Sequence, residues 1–175
     1  MIRLAALLAV GALAPVWPAP PNPMQLTRKA GLTPETHEFV FLHVHSHLDV
    51  FVNGKKVVVP GGIGIDIHNP AVHKFPAPDG TVGYGGIEPP CKKPCISPLH
   101  THSDDGILHT EAKKDQFNRL GQFFTEWGVK LPAKAKVYVD GKRFKGDPRA
   151  IQLKDKREIA VVVGKAPSKI PSKFP

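Results

Sequence analysis

Histidine recurs at every second position in the stretch His43-Val44-His45-Ser46-His47-Leu48-Asp49. In a β-strand successive side chains point to opposite faces. His43, His45, His47 and Asp49 therefore share one face, while Val44, Leu48 and Val50 take the other, with Ser46 between them. The pattern predicts a strand with one wall of core and one wall of nitrogen donors.

A second stretch, His100-Thr101-His102-Ser103-Asp104-Asp105-Gly106-Ile107-Leu108-His109-Thr110-Glu111, carries three more histidines. Asp105-Gly106 is a two-residue hairpin signal, which would set His102 opposite His109 and His100 opposite Glu111. A four-residue loop would instead pair His100 with His109. Either register clusters His100, His102 and His109, since cross-strand neighbours lie roughly 4.5–5.5 Å apart at Cβ.

Strand geometry limits how many of these can share an ion. Residues i and i+2 are about 6.6–6.8 Å apart and residues i and i+4 about 13 Å. A His-x-His pair can pinch one metal, whereas His43 and His47 together cannot. The expected site takes two of His43, His45 and His47 and two of His100, His102 and His109, from strands that are neighbours or face each other. Asp49, Asp104 and Glu111 are candidate ligands, or partners that orient a histidine through its second nitrogen. Imidazole donors suit Zn or Cu, and a thiolate from Cys91 or Cys95 would tilt the choice toward Cu(I) or Zn. A water-facing strand also tolerates polar residues, so one His-x-His decides little; three alternating histidines plus three around a hairpin point to a transition metal.

The chain has 175 residues, 41% of them hydrophobic, which suits one domain with a real core. Its 24 Lys and Arg against 15 Asp and Glu give a formal charge of +9. These cations are scattered and aromatic residues are few, so no nucleic-acid partner is expected. Arg3 precedes the apolar run Leu4 to Ala14, and Ala12-Leu13-Ala14 has the form of a cleavage site. Residues 1–16 thus read as a signal peptide, or as a short N-terminal membrane anchor if Pro15 blocks cleavage. The expected location is periplasmic or otherwise extracytoplasmic. In such a compartment Cys91 and Cys95 would form a disulfide by default, with thiolate ligation as the alternative.

Residues 17–36 are Pro-rich and read as a linker, 37–164 as a single His-rich domain, and 165–175 as a disordered basic tail. Asn53-Gly54 and Asp140-Gly141 each mark a hairpin. Residues 66–95 form a long Pro- and Gly-rich loop that holds His68 and His73, both read as solvated, with auxiliary ligation as the alternative. One helix is expected from an Asn118 N-cap to Gly128, with Leu120, Phe123, Phe124 and Trp127 on its buried side. Glu158 to Val163 is an apolar strand suited to the sheet centre. The fold class is α+β, mainly β: an antiparallel or mixed sheet of hairpins with one packed helix, of which a β-grasp is one form.

The stretches His43 to Gly54, Leu99 to Glu111 and Leu120 to Gly128 together resemble an uncharacterised family of bacterial exported or membrane-anchored proteins. That family has a His-x-His-x-His-Leu strand running into Val-Asn-Gly, a Leu-His-Thr-His hairpin ending in Ile-x-His-x-Glu, and a Leu-Gly-Gln-Phe-Phe-x-x-Trp-Gly helix. The chain departs from it at Ser103, where an acid is expected, and in a longer segment over 66–90. The resemblance implies export and a shared histidine site, and supplies no activity.

The functional expectation is an exported protein that captures, buffers or delivers Cu or Zn, with a membrane or periplasmic metal-transfer partner. Two alternatives stand beside it. One is a metalloenzyme with a metal-activated water and Glu111 or Asp49 as base. The other is a non-catalytic module whose histidines respond to pH.

Overall fold

The computed structural model describes residues 17–78 and 80–175, so the segment read as a signal peptide or anchor lies outside the described residues. The central element is β1 (Leu42–Val52). It turns through Asn53 and Gly54, whose φ values of 51° and 81° are the two positive angles of a type I′ hairpin, into β2 (Lys55–Val57). Its other neighbours are β6 (Ile107–Ala112), antiparallel, and β9 (Arg157–Val163), parallel. Outside these lie β5 (Leu99–His100) on one flank, and β7 (Lys136–Val139) followed by β8 (Lys142–Arg143) on the other. The spatial order is β5-β6-β1-β9-β7-β8, with β2 also on β1. The fold is mainly β with a mixed sheet built largely from hairpins, as the turn signals predict, and the apolar strand β9 sits at its centre.

Side-chain parity divides the sheet. Leu48 and Val50 of β1, Leu108 of β6, Leu99 of β5, Val137 of β7, and Ile159 and Val161 of β9 form one apolar face. Helix α2 (Leu120–Glu126) packs on it through Leu120, Phe123, Phe124 and Trp127, the aromatic stripe read from the sequence. Each large aromatic removes roughly 150–250 Å² from water, so this contact dominates the core. Gly128 takes the C′ position with φ 71°, as expected. Arg119, not Asn118, is the N-cap; the Asn118 amide is buried and donates to the Pro98 carbonyl instead.

The Pro-rich stretch 17–36 is not an extended linker. Pro23 opens helix α1 (Pro23–Lys29), where its missing N–H costs nothing. The buried Thr27 hydroxyl lies 3.0 Å from Glu126 of α2, and Trp127 Nε1–H donates to the Trp17 carbonyl at 2.9 Å. The tail is not free either: Ile170 packs against Phe51, Ala160 and Val162 on the opposite sheet face, and the Phe174 ring lies 6.4 Å from that of His47. Within the long loop, β3 (His73–Pro76) and β4 (Val82–Gly85) form a small hairpin of their own. Cys91 and Cys95 are joined by a disulfide, so neither thiol is available as a ligand.

Candidate metal centre

The same parity that builds the core gathers the imidazoles. Register pairs His43 with Glu111, His45 with His109, and His100 with His109, so all five side chains stand on the sheet face away from α2. The hairpin takes the four-residue register, not the Asp105-Gly106 turn. Gly106 instead extends the β1–β6 ladder, its carbonyl accepting from Leu48 N–H of β1 at 2.9 Å. His102 falls in the resulting loop and still reaches the group.

Glu111 Oε1 is the point of convergence. His43 Nε2 lies 3.2 Å from it, His109 Nδ1 3.5 Å, His100 Nε2 3.7 Å and His102 Nε2 3.9 Å. His45 joins at the rim, its Nε2 2.9 Å from that of His43. Two overlapping sets could each hold an ion: His100, His102, His109 and Glu111 inside, and His43, His45 and His109 outside. Burial is graded across them, from His100, which is 0% exposed, to His43, whose side chain is 40% exposed.

Backbone carbonyls fix the tautomers. His100 Nδ1–H donates to the Ser97 carbonyl at 2.8 Å, and His102 Nδ1–H donates to that of Tyr84. Each ring therefore turns Nε2 inward, and the two Nε2 atoms stand 3.2 Å apart. A tetrahedral ion with bonds of about 2.0–2.1 Å holds its nitrogens about 3.3 Å apart, so the pair needs little movement to bind one. His109 Nδ1 is buried without a hydrogen-bond partner, an orphan that a metal would satisfy.

The electrostatics follow from crowding and burial. Burial, then the neighbouring His102, hold His100 well below the usual histidine range. Burial also lowers His109 to about 4 against the pull of Glu111, and burial and His43 lower His45. Burial opposes charge on Glu111, but the surrounding His102 and His109 rings outweigh it and keep its carboxyl below the usual range. Burial likewise opposes charge on His102; Glu111 and the Tyr84 carbonyl overcome it, and its pKa is raised. His45, His100 and His109 are thus held as neutral donors beside the Glu111 anion, the state a cation requires, while His102 must give up its proton when an ion binds.

Three expected residues lie elsewhere. His47 and Asp49 continue the strand alternation beyond the cluster and meet Glu158 of β9. Asp104 Oδ1 accepts from Gly61 N–H at 2.8 Å and so braces the loop. Glu158 escaped the sequence reading because it closes the charged run Lys154 to Glu158 just before an apolar stretch, with nothing to show that it would be paired with His47. His68 and His73 are exposed, as read from the loop. The chain matches no family model, and neither the curated proteins nor the solved structures contain a match. Among the described residues no helix is long and apolar enough to cross a membrane.

Proposed function

We propose that this chain is an exported protein that captures a transition metal, Cu or Zn, and buffers it or passes it to a partner at the membrane or in the periplasm. The observation that carries the reading is the convergence of four imidazole nitrogens within 3.9 Å of one buried carboxylate oxygen. Nitrogen-rich donor sets favour Cu and Zn over Mg or Ca. The graded burial supports capture followed by retention: an ion meets His43 and His45 first and is handed through the shared His109 to His100 and His102. Export is supported by the charged and apolar start of the chain and by the disulfide, which oxidising compartments preserve.

Elemental analysis of protein purified from the exported fraction, beside its His100→Ala/His102→Ala variant, tests the reading. Stoichiometric Cu or Zn in the parent and its loss from a folded variant are expected. Equal metal content in both would overturn it.

A further inference from the structure

Beyond the histidine cluster, β1 brings a second group of donors onto the same sheet face. His47 pairs in parallel register with Glu158, and Asp49 is the next residue on that face. His47 Nδ1 stands 2.6 Å from Glu158 Oε2 and 3.9 Å from Asp49 Oδ2, and all three residues are buried. The other ring nitrogen, Nε2, lies 3.0 Å from the Asp105 carbonyl, which can only accept. Nε2 therefore carries a proton, and Nδ1 is the atom turned toward the carboxylates. An outer hydrogen bond of this kind is what sets a ligating histidine in its tautomer.

Two features show that the group is not closed on itself. Glu158 is 1% exposed, yet its Oε1 has no hydrogen-bond partner. A buried carboxylate oxygen left in this way costs free energy that a bound cation would recover. Asp49 Oδ1 lies 2.6 Å from Lys56 Nζ without the alignment of a hydrogen bond, and the Lys56 side chain is 58% exposed. Its ammonium can withdraw into water and leave Asp49 free.

We infer that His47, Asp49 and Glu158 form a second divalent-cation site that shares no ligand with the histidine cluster. One imidazole nitrogen and two carboxylates make a harder donor set than five imidazoles, suited to Mn²⁺, Fe²⁺ or Zn²⁺. Two carboxylate charges match one divalent ion. Loading releases the Nδ1 proton to solvent and displaces Lys56. The Phe174 ring stands edge-on to that of His47, with 6.4 Å between the ring centroids.

The test is a titration of the full metal-free chain with Cd²⁺ alone, followed by ¹¹³Cd NMR, because the cadmium shift separates nitrogen-rich from oxygen-rich donor sets. Two resonances are expected in the parent protein. Glu158→Gln should abolish the oxygen-rich signal and leave the other, and Asp49→Asn should do the same if Glu158→Gln does not fold. The His100→Ala/His102→Ala variant should lose the nitrogen-rich signal alone, and retention of that signal would count against the cluster reading and not against this one. Saturation of the parent with no oxygen-rich resonance, or an oxygen-rich signal that survives both carboxylate substitutions, would reduce the group to an ion-pair network only and overturn the inference.

Discussion

The Nδ1–H of His100 donates to the carbonyl of Ser97 at 2.8 Å, and Ser97 is itself held by Glu126, whose Oε1 accepts from its hydroxyl at 2.6 Å. A buried helix carboxyl thus anchors the loop that sets the tautomer of the most buried histidine. The contact ties the core face of the sheet to the face that carries the donors.

Glu126 should make stability fall with rising pH. Burial raises its pKa to about 7, against 4.5 unfolded, so the folded state binds the extra proton between those values. The neutral acid satisfies its surroundings. Thr27 Oγ1 donates to the Pro23 carbonyl and accepts from Glu126, while Ser97 donates to the other oxygen. Glu126→Gln keeps both contacts and removes the charge. Its stability relative to wild type should be unchanged below pH 4.5 and higher by up to about 3 kcal/mol at pH 8. Urea unfolding midpoints across this range check it, and parallel curves would sink it.

In the metal-free protein the histidines should titrate in a fixed order. His109, lowered to about 4 by burial, should be neutral at pH 5.5, while His47, where Glu158 overcomes the opposing burial, should titrate above 6.5. For His109 the unfolded chain binds more protons between about 4 and 6.5, so its contribution to stability rises with pH there. Imidazole ¹⁵N NMR reads each ring. A His109 midpoint near 6.5 would mean that the interior is wetter than its burial implies.

Glu111→Gln should weaken metal binding at the cluster by at least about 10–100-fold, the range expected when a charged partner of the ligands is neutralised. His43→Ala should act differently. It removes the most exposed donor and leaves His100, His102, His109 and Glu111 in place, so the rate of loading should fall more than the final affinity. Stopped-flow loading with Zn²⁺ and a competing chelator separates the two.

Substituting both cysteines, Cys91→Ser/Cys95→Ser, should leave metal content unchanged, because the sulfurs are bonded to each other and belong to neither donor set. A fall in metal content of a folded variant would restore sulfur as a ligand.

Gly106→Ala should be costly at a single site. The backbone there has φ +80°, and an added Cβ would stand 2.8 Å from the Leu48 carbonyl oxygen and 3.0 Å from His47 Nε2. The conformation alone should cost about 1–3 kcal/mol, with a matching drop in the urea midpoint.

Much of the fold was legible because the sequence signals were local. Asn53-Gly54 and Asp140-Gly141 adopt the paired positive φ angles that their turns demand, and Gly128 ends α2 where its spacing predicts. Strict alternation in β1 sorted imidazole from core correctly as far as the strand itself runs. The rest depended on distant partners. The His100–His109 register leaves Gly106 bonded to Leu48 of β1, a distant partner that turn chemistry does not show. Helix α1 owes its place to Thr27 meeting Glu126 across 99 residues, and the tail is held by Ile170 on a sheet face that composition does not reveal. Glu158 became visible only once β9 was paired with β1.

That pairing has one more consequence. β1 reaches its parallel neighbour only after residue 157 exists, so the sheet's two halves have no seam until β9 has been made. Long-range pairings of this kind are slow to form. A polypeptide with its keystone delayed stays threadable for longer before it sets.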